Sequence, residues 1–250
     1  MPIASGRRVF NTWGRMQGER STPVAAHPSA TVMLLRDGAS GPEVLLVQRA
    51  AELEFHGGSW VFPGGRIDSA DFEGAAAAPE DIPLEVLRRA AVRELAEEAG
   101  LDLDVEALVW QARWTTPEGF PKRFRTWFFM ARAVSTNARV DGGEIRAHRW
   151  LAPAAAVDEQ RAGRLALPPP TFVTLTQLAR FADVAAALAH SAGIGPEEYV
   201  PRPRRIEGGF CSLYQQDAAY EGGPLEAPGL RHRLWVVDGG FRYERAFETS

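Results

Sequence analysis

Residues 93–101 read Arg93-Glu94-Leu95-Ala96-Glu97-Glu98-Ala99-Gly100-Leu101, and how this stretch is read decides the fold. Leu84, Leu87, Ala91, Leu95 and Ala99 recur at helical spacing and Gly100 supplies a stop, so a helix is predicted over 84–99. Glu94 and Glu97 lie three residues apart and Glu94 and Glu98 four apart, which puts all three carboxylates on one face of that helix. Like charges at these spacings repel, and a hard divalent cation with oxygen ligands, Mg²⁺ or Mn²⁺, is a natural compensation. Arg93 stands one turn before Glu97, where it can orient a carboxylate. Taken alone, the helix is equally well read as a solvated face carrying an Arg–Glu pair.

Upstream, Pro63-Gly64-Gly65 offers bare backbone able to approach a ligand or place a carbonyl on a metal. Further upstream, the apolar, β-branched runs Thr31–Arg36 and Val44–Gln48 flank the turn-rich Asp37–Pro42 and predict two strands. Between loop and helix, residues 69–83 are Ala-, acidic- and Pro-rich and read as a surface insertion. Downstream, strands are predicted at Val105–Trp114, Phe124–Ala133 and Ile145–Trp150, giving a mixed α/β sheet with a helix packed on it. A Pro-Ala segment after Leu151 opens another helix, and Thr171–Ala189 forms one more, with residues 190–229 irregular. Leu234–Val237 and Phe241–Tyr243 around Asp238-Gly239-Gly240 predict a terminal hairpin. The expected organisation is a loose arm at 1–27, a core domain at 28–160, and a helical and hairpin extension at 161–250.

The 250 residues are 45% hydrophobic and 24% charged, enough for one sizeable core and too apolar for a disordered chain. A formal charge of −4 argues against a general nucleic-acid binder. Lys122 is the only lysine, a bias toward arginine that accompanies the many Ala and Pro residues. The single Cys211 excludes an internal disulfide framework and fits a reducing compartment. No stretch approaches the roughly 20 apolar residues of a bilayer span, and the N-terminus lacks the apolar core of a secretory signal. A cytoplasmic location, no membrane association and compatibility with a homodimer are the expectations.

Gly65–Asp71 and Arg93–Leu101 together resemble the signature of the Nudix hydrolase superfamily: glycine, five residues, glutamate, seven residues, then Arg-Glu-aliphatic-x-Glu-Glu-x-Gly-aliphatic. The second half matches at Arg93, Glu94, Leu95, Glu97, Glu98, Gly100 and Leu101. The first half departs: Asp71 stands in the place of the first glutamate, and 21 residues separate it from Arg93, an excess of 14 that coincides with the insertion. The resemblance implies a Nudix fold, with a mixed sheet sandwiched between helices, and metal-dependent hydrolysis of a diphosphate linked to another moiety. It implies Glu94, Glu97 and Glu98 as Mg²⁺ or Mn²⁺ ligands, with Glu94 or Glu97 doubling as base, and the Gly64 carbonyl as a further ligand. Glu144, on the turn 141–144, is the candidate for a base outside the signature, an ordinary turn glutamate being the alternative.

Leu45–Asp68 resembles the segment that precedes the signature in the coenzyme A diphosphatase branch, with Arg49, His56, Gly57, Phe62, Pro63, Gly64, Gly65 and Asp68 matching in kind. The implied substrate is a nucleotide diphosphate, coenzyme A or acyl-coenzyme A; ADP-ribose or NADH, or a non-catalytic ligand-sensing role, are the alternatives. The substrate-contact candidates are Arg49, His56, Trp60, Gly65, Lys122 and Arg125. Each has a plainer reading. Arg49 would pair with Glu52 or Asp68, His56 would fix its loop, and Trp60 would pack in the core. Lys122 and Arg125, set among Trp114, Phe124, Trp127 and Phe128, would serve solubility.

Overall fold

The computed structural model describes residues 24–53, 56–73, 81–140, 142–238 and 240–246. The strand runs of the sequence become β1 (Ala26–Gly38) and β2 (Gly41–Arg49), followed by the short β3 (Trp60–Val61) and β4 (Gly64–Arg66). Helix α1 (Leu84–Ala99) precedes β5 (Val109–Thr115), β6 (Arg123–Arg132) and β7 (Ile145–Leu151). Then come α2 (Pro153–Arg161), α3 (Pro169–Leu178), α4 (Val184–Ile194) and β8 (Glu197–Tyr199). The chain closes with β9 (Arg202–Ile206), β10 (Gly209–Leu213), β11 (His232–Val237) and β12 (Gly240–Arg245).

The main sheet runs β3-β2-β1-β6-β5-β8, with β4 also on β1 and β7 also on β2. It is mixed: β1 pairs in parallel with β6 and antiparallel with β2 and β4. The long β1 serves three neighbours because its ends diverge; Ser29–Thr31 meet β4, whereas Leu35–Gly38 meet β2. Both faces are covered, which is why its strands read as nearly unbroken apolar runs. Ala30, Val32, Leu34, Leu45, Trp127 and Phe129 pack under Leu87, Ala91 and Leu95 of α1. Met33, Leu35, Val44, Leu46, Phe128 and Met130 face the other way, into a cluster with Phe172, Leu175, Val184, Leu234 and Phe241. That second cluster joins residues from both sides of position 160.

The extension differs from its reading in three ways. The predicted helix 171–189 is two helices, because Asp183 leaves helical geometry and accepts the Ala186 N–H at 2.8 Å as the cap of α4. Asp37, in the β1–β2 turn, accepts the Val184 N–H at 3.1 Å, so the new helix starts where the sheet receives it. The supposedly irregular 190–229 contains β8, β9 and β10, and the terminal hairpin is half of an antiparallel sheet ordered β12-β11-β10-β9. The arm at 1–27 lies outside the described residues up to position 23, and β1 already begins at Ala26.

The insertion also needs correction. Residues 74–80 lie outside the described residues, but Ser69–Phe72 form a 3₁₀ turn in which Asp71 is only 4% exposed. Asp68 and Asp71 close a reciprocal capping box: Ala70 N–H donates to Asp68 Oδ1 at 2.9 Å, and Asp68 N–H donates to Asp71 Oδ2 at 2.7 Å. The start of this segment is therefore built into the fold, not laid on its surface.

Candidate active site

Helix α1 ends at Gly100, whose φ of 63° and N–H bond to Ala96 O make a left-handed cap. Its buried stripe includes Leu87, Ala91, Leu95 and Ala99, and also Glu98. A glutamate reaches this face because the backbone opposite it is glycine. At Gly64, φ is 155° and an added Cβ would lie 2.3 Å from Ala30 O, so β4 can sit against β1 only as glycine. At Gly65, an added Cβ would lie 2.4 Å from the Glu94 carboxylate carbon. Pro63 O, accepting from Val32 N–H at 2.9 Å and Thr31 Oγ1 at 2.6 Å, fixes the loop that carries both glycines.

Arg93 ties the site together. Its Nε and Nη2 donate to Asp71 Oδ1 and Oδ2, both at 3.0 Å, in a bidentate pair. Nη1 donates to Glu94 Oε1 and Glu97 Oε2, and Nη2 also to Arg66 O, each at 3.0 Å. All five guanidinium N–H groups are thus engaged within the chain. Asp71, whose part the sequence left open, is the carboxylate that clamps Arg93. The aspartate-x-x-aspartate spacing of its capping box was the available signal.

Glu98 is 7% exposed, accepts the Gly64 N–H at 2.9 Å, and has Arg49 Nη1 at 3.7 Å. Gly64 thus meets the helix through its N–H, whereas the expectation concerned its carbonyl. Burial pushes the Glu98 carboxyl up to about 8, against the pull of Gly64 N–H and Arg49, with Glu94 and Glu144 adding repulsion. Glu94 is raised as well, chiefly by burial, Arg93 working against it. Arg49 Nη2 pairs with Glu144 at 2.7 Å, and Ala50 N–H donates to Glu144 O at 2.8 Å, bringing the 142–144 turn to the carboxylates. Arg49 therefore pairs with Glu144 and Glu98 rather than with Glu52 or Asp68; Glu52 instead lies 3.9 Å from Arg146.

The remaining candidates are placed as follows. His56 has a φ of 56°, and burial together with the Arg49 charge lowers its pKa to about 4, leaving the imidazole neutral near pH 7. Trp60 is 9% exposed and packs in the cluster on the sheet face opposite α1, with Arg149 5.8 Å from its ring, so it does not sit among the carboxylates. Lys122 Nζ lies 5.8 Å from the Phe124 ring, and Arg125 stands in β6 beside Pro28 of β1. Neither is brought into contact with the α1 carboxylates.

Among the described residues, no three His, Cys, Asp or Glu side chains converge as a ready metal cage. The reason is visible: Arg93 draws Glu94 and Glu97 to one side, and Gly64 N–H draws Glu98 to another. The residues nevertheless fit a hard divalent ion. The donors are all carboxylate oxygens, two of them belong to groups whose charge burial disfavours, and the bare Gly65 leaves Glu94 its room.

The NUDIX domain family matches residues 25–169, more than half of the chain, and the chain belongs to that family. It is 29% identical to the putative nudix hydrolase 7 of Caenorhabditis elegans over 56% of this chain; that match spans 57% of the relative's length. It is 22% identical to the acyl-coenzyme A diphosphatase NUDT19 of Xenopus laevis, over 82% of this chain and 83% of that protein. Among solved structures, a NUDIX hydrolase from Alicyclobacillus acidocaldarius aligns with a TM-score of 0.58 at 25% identity, covering 66% of this chain and 96% of that one. The mixed sheet with helices on its faces is accordingly the Nudix fold, as the sequence resemblance implied.

Proposed function

We propose that this chain hydrolyses the diphosphate bond of a nucleoside diphosphate derivative, and that coenzyme A or an acyl-coenzyme A is the substrate. The observation that carries the reaction is the pair of buried carboxylates, Glu94 and Glu98, facing the glycine strand with Glu97 beside them. The likeness to an acyl-coenzyme A diphosphatase over most of both chains supports the substrate.

Glu94, Glu97 and Glu98 would hold Mg²⁺ or Mn²⁺, which when bound neutralises diphosphate oxygens and lowers the pKa of water. Asp71 and the Arg66 carbonyl hold Arg93, and Arg93 in turn keeps Glu94 and Glu97 at the helix surface. Arg49, held by Glu144, directs positive charge toward Glu98 and is the group placed to meet a substrate phosphate. Glu144, with its side chain 56% exposed, is free to accept a proton from an attacking water. Hydrolysis of coenzyme A would yield 3′,5′-ADP and a phosphopantetheine.

The test is a panel of coenzyme A, acyl-coenzyme A, ADP-ribose and NADH, assayed with Mg²⁺ or Mn²⁺ and analysed for products. Metal-dependent release of 3′,5′-ADP from coenzyme A is expected. Faster cleavage of ADP-ribose or NADH would overturn the substrate, and no metal-dependent cleavage of any member would overturn the reaction.

A further inference from the structure

On the sheet face away from α1, a cavity of about 270 Å³ opens between the Nudix sheet and the extension. It is nearly twice the ~150 Å³ of a cavity known to admit benzene, and none of the chemistry above uses it. Met130 of β6, Leu178 of α3, Phe181, and Ile194 of α4 give it apolar walls. Its charged lining is Arg180 and Arg245 against Glu197, a balance of one positive charge.

The polar side of the cavity is a built network. Gln177, 8% exposed, donates from Nε2 to Tyr199 Oη at 2.7 Å and to Tyr243 Oη at 3.3 Å. Tyr199 Oη donates to Glu197 Oε2 at 2.7 Å, and Arg245 closes on the same carboxylate at 2.7–2.8 Å. Glu197 is thereby taken up inside the wall. Arg180, whose Nε donates to Gln177 O at 3.1 Å, brings its charge to the rim. On the sheet side, Gln111 lines the cavity with a buried Oε1 that meets no donor among the described residues. A buried acceptor without a donor costs about 1–3 kcal/mol, which a ligand hydroxyl would recover.

The geometry points to a second ligand site here, for a small hydroxycarboxylate with a short apolar chain. The chain lies against Met130, Leu178 and Phe181, the carboxylate faces Arg180, and the hydroxyl donates to Gln111 Oε1. This assignment is independent of the diphosphate reaction, since it uses the opposite face of the sheet.

The full chain, labelled with ¹⁵N, is titrated with 2-hydroxyhexanoate, hexanoate and hexane-1,2-diol while the amide spectrum is followed. Saturable shifts at the Gln111 side-chain amide and at Ser191 and Gly195 are expected with 2-hydroxyhexanoate, with the diol at least about tenfold weaker. Arg180→Gln, an exposed position that leaves the fold intact, should remove the preference for the acid over the diol. Gln111→Leu should remove the preference for 2-hydroxyhexanoate over hexanoate. No saturable shift with any probe, a diol that binds as well as the acid, or an Arg180→Gln variant that binds unchanged would each overturn the site. Equal affinity for hexanoate in the unaltered protein would overturn the role of Gln111.

Discussion

Glu98 is a carboxylate kept where a carboxylate is disfavoured. Glu98→Gln preserves the acceptor for Gly64 N–H and removes the desolvated charge, so thermal stability should hold or rise while turnover falls about a hundredfold or more. A melting curve beside a Mg²⁺-dependent rate measurement tests this, and an unchanged rate would remove Glu98 from the chemistry. Asp71 makes the opposite bargain. Asp71→Asn turns an amide N–H toward the Arg93 fork and should lower unfolding free energy by about 2 kcal/mol, discounted for the partial exposure of Arg93 and measurable by urea titration. At this scale the carboxylate helix was legible in the order of its residues, because a one-turn repeat of glutamates is a purely local pattern. The Arg93–Asp71 bond was not, since 21 intervening residues hide which acid returns to the helix. Arg49 was singled out correctly as a charged residue of interest, yet its partner Glu144 lies 95 positions away and no local spacing could join them.

Between strand β4 and helix α1, two adjacent glycines face different obstacles. Gly64→Ala drives a Cβ into the backbone of β1 at a positive φ and should unfold or severely destabilise the chain. Gly65→Ala meets only the end of the Glu94 side chain, so the fold should survive and Mn²⁺ binding should weaken. Calorimetry with Mn²⁺ on the two variants separates these outcomes; equal melting temperatures would contradict the first. Periodicity identified the elements with clear apolar repeats, β1, β2, α1 and β6. It ran past the α3–α4 break because Ala179 and Ala182 continue the helical stripe through the turn, and only the cap at Asp183 interrupts it. Strands β8 and β9 escaped notice because they are short and carry Glu, Arg and Pro, which announce themselves as loop.

Across the whole molecule, the extension and the sheet stand or fall together. Phe172 of α3 is fully buried and meets Phe241 of β12 edge-on at 5.2 Å, so Phe172→Ala should cost about 3–5 kcal/mol and melt both sheets in one transition. Separate transitions by near- and far-ultraviolet circular dichroism would contradict a shared core. His232 gives that core a pH dependence. Burial, with the Arg245 charge, lowers its pKa from 6.5 to about 4, so between these values the unfolded chain takes up a proton that the folded chain does not. Stability from this group is therefore full above pH 6.5 and falls as the solution is acidified toward pH 4, by about 3 kcal/mol over the window. Urea titrations at a series of pH values should show that slope, reduced in His232→Asn; an unaltered slope would assign it elsewhere. Two groups of the α1 site also gain protons on acidification, but Glu94 and Glu98 are raised, so they act with the opposite sign.

The saturated guanidinium of Arg93 carries a consequence for any attempt to redesign this protein. A lysine there would bring three N–H groups to a junction of five acceptors, and no rotation of an ammonium reproduces a planar fork. The three stretches it knots together — the strand after the glycines, the turn at Asp71 and the helix itself — can drift in composition only in concert. An exchange at Arg93 succeeds only as a joint rewrite of all three, and grafting the helix alone onto another scaffold would import its repulsion without the knot that contains it.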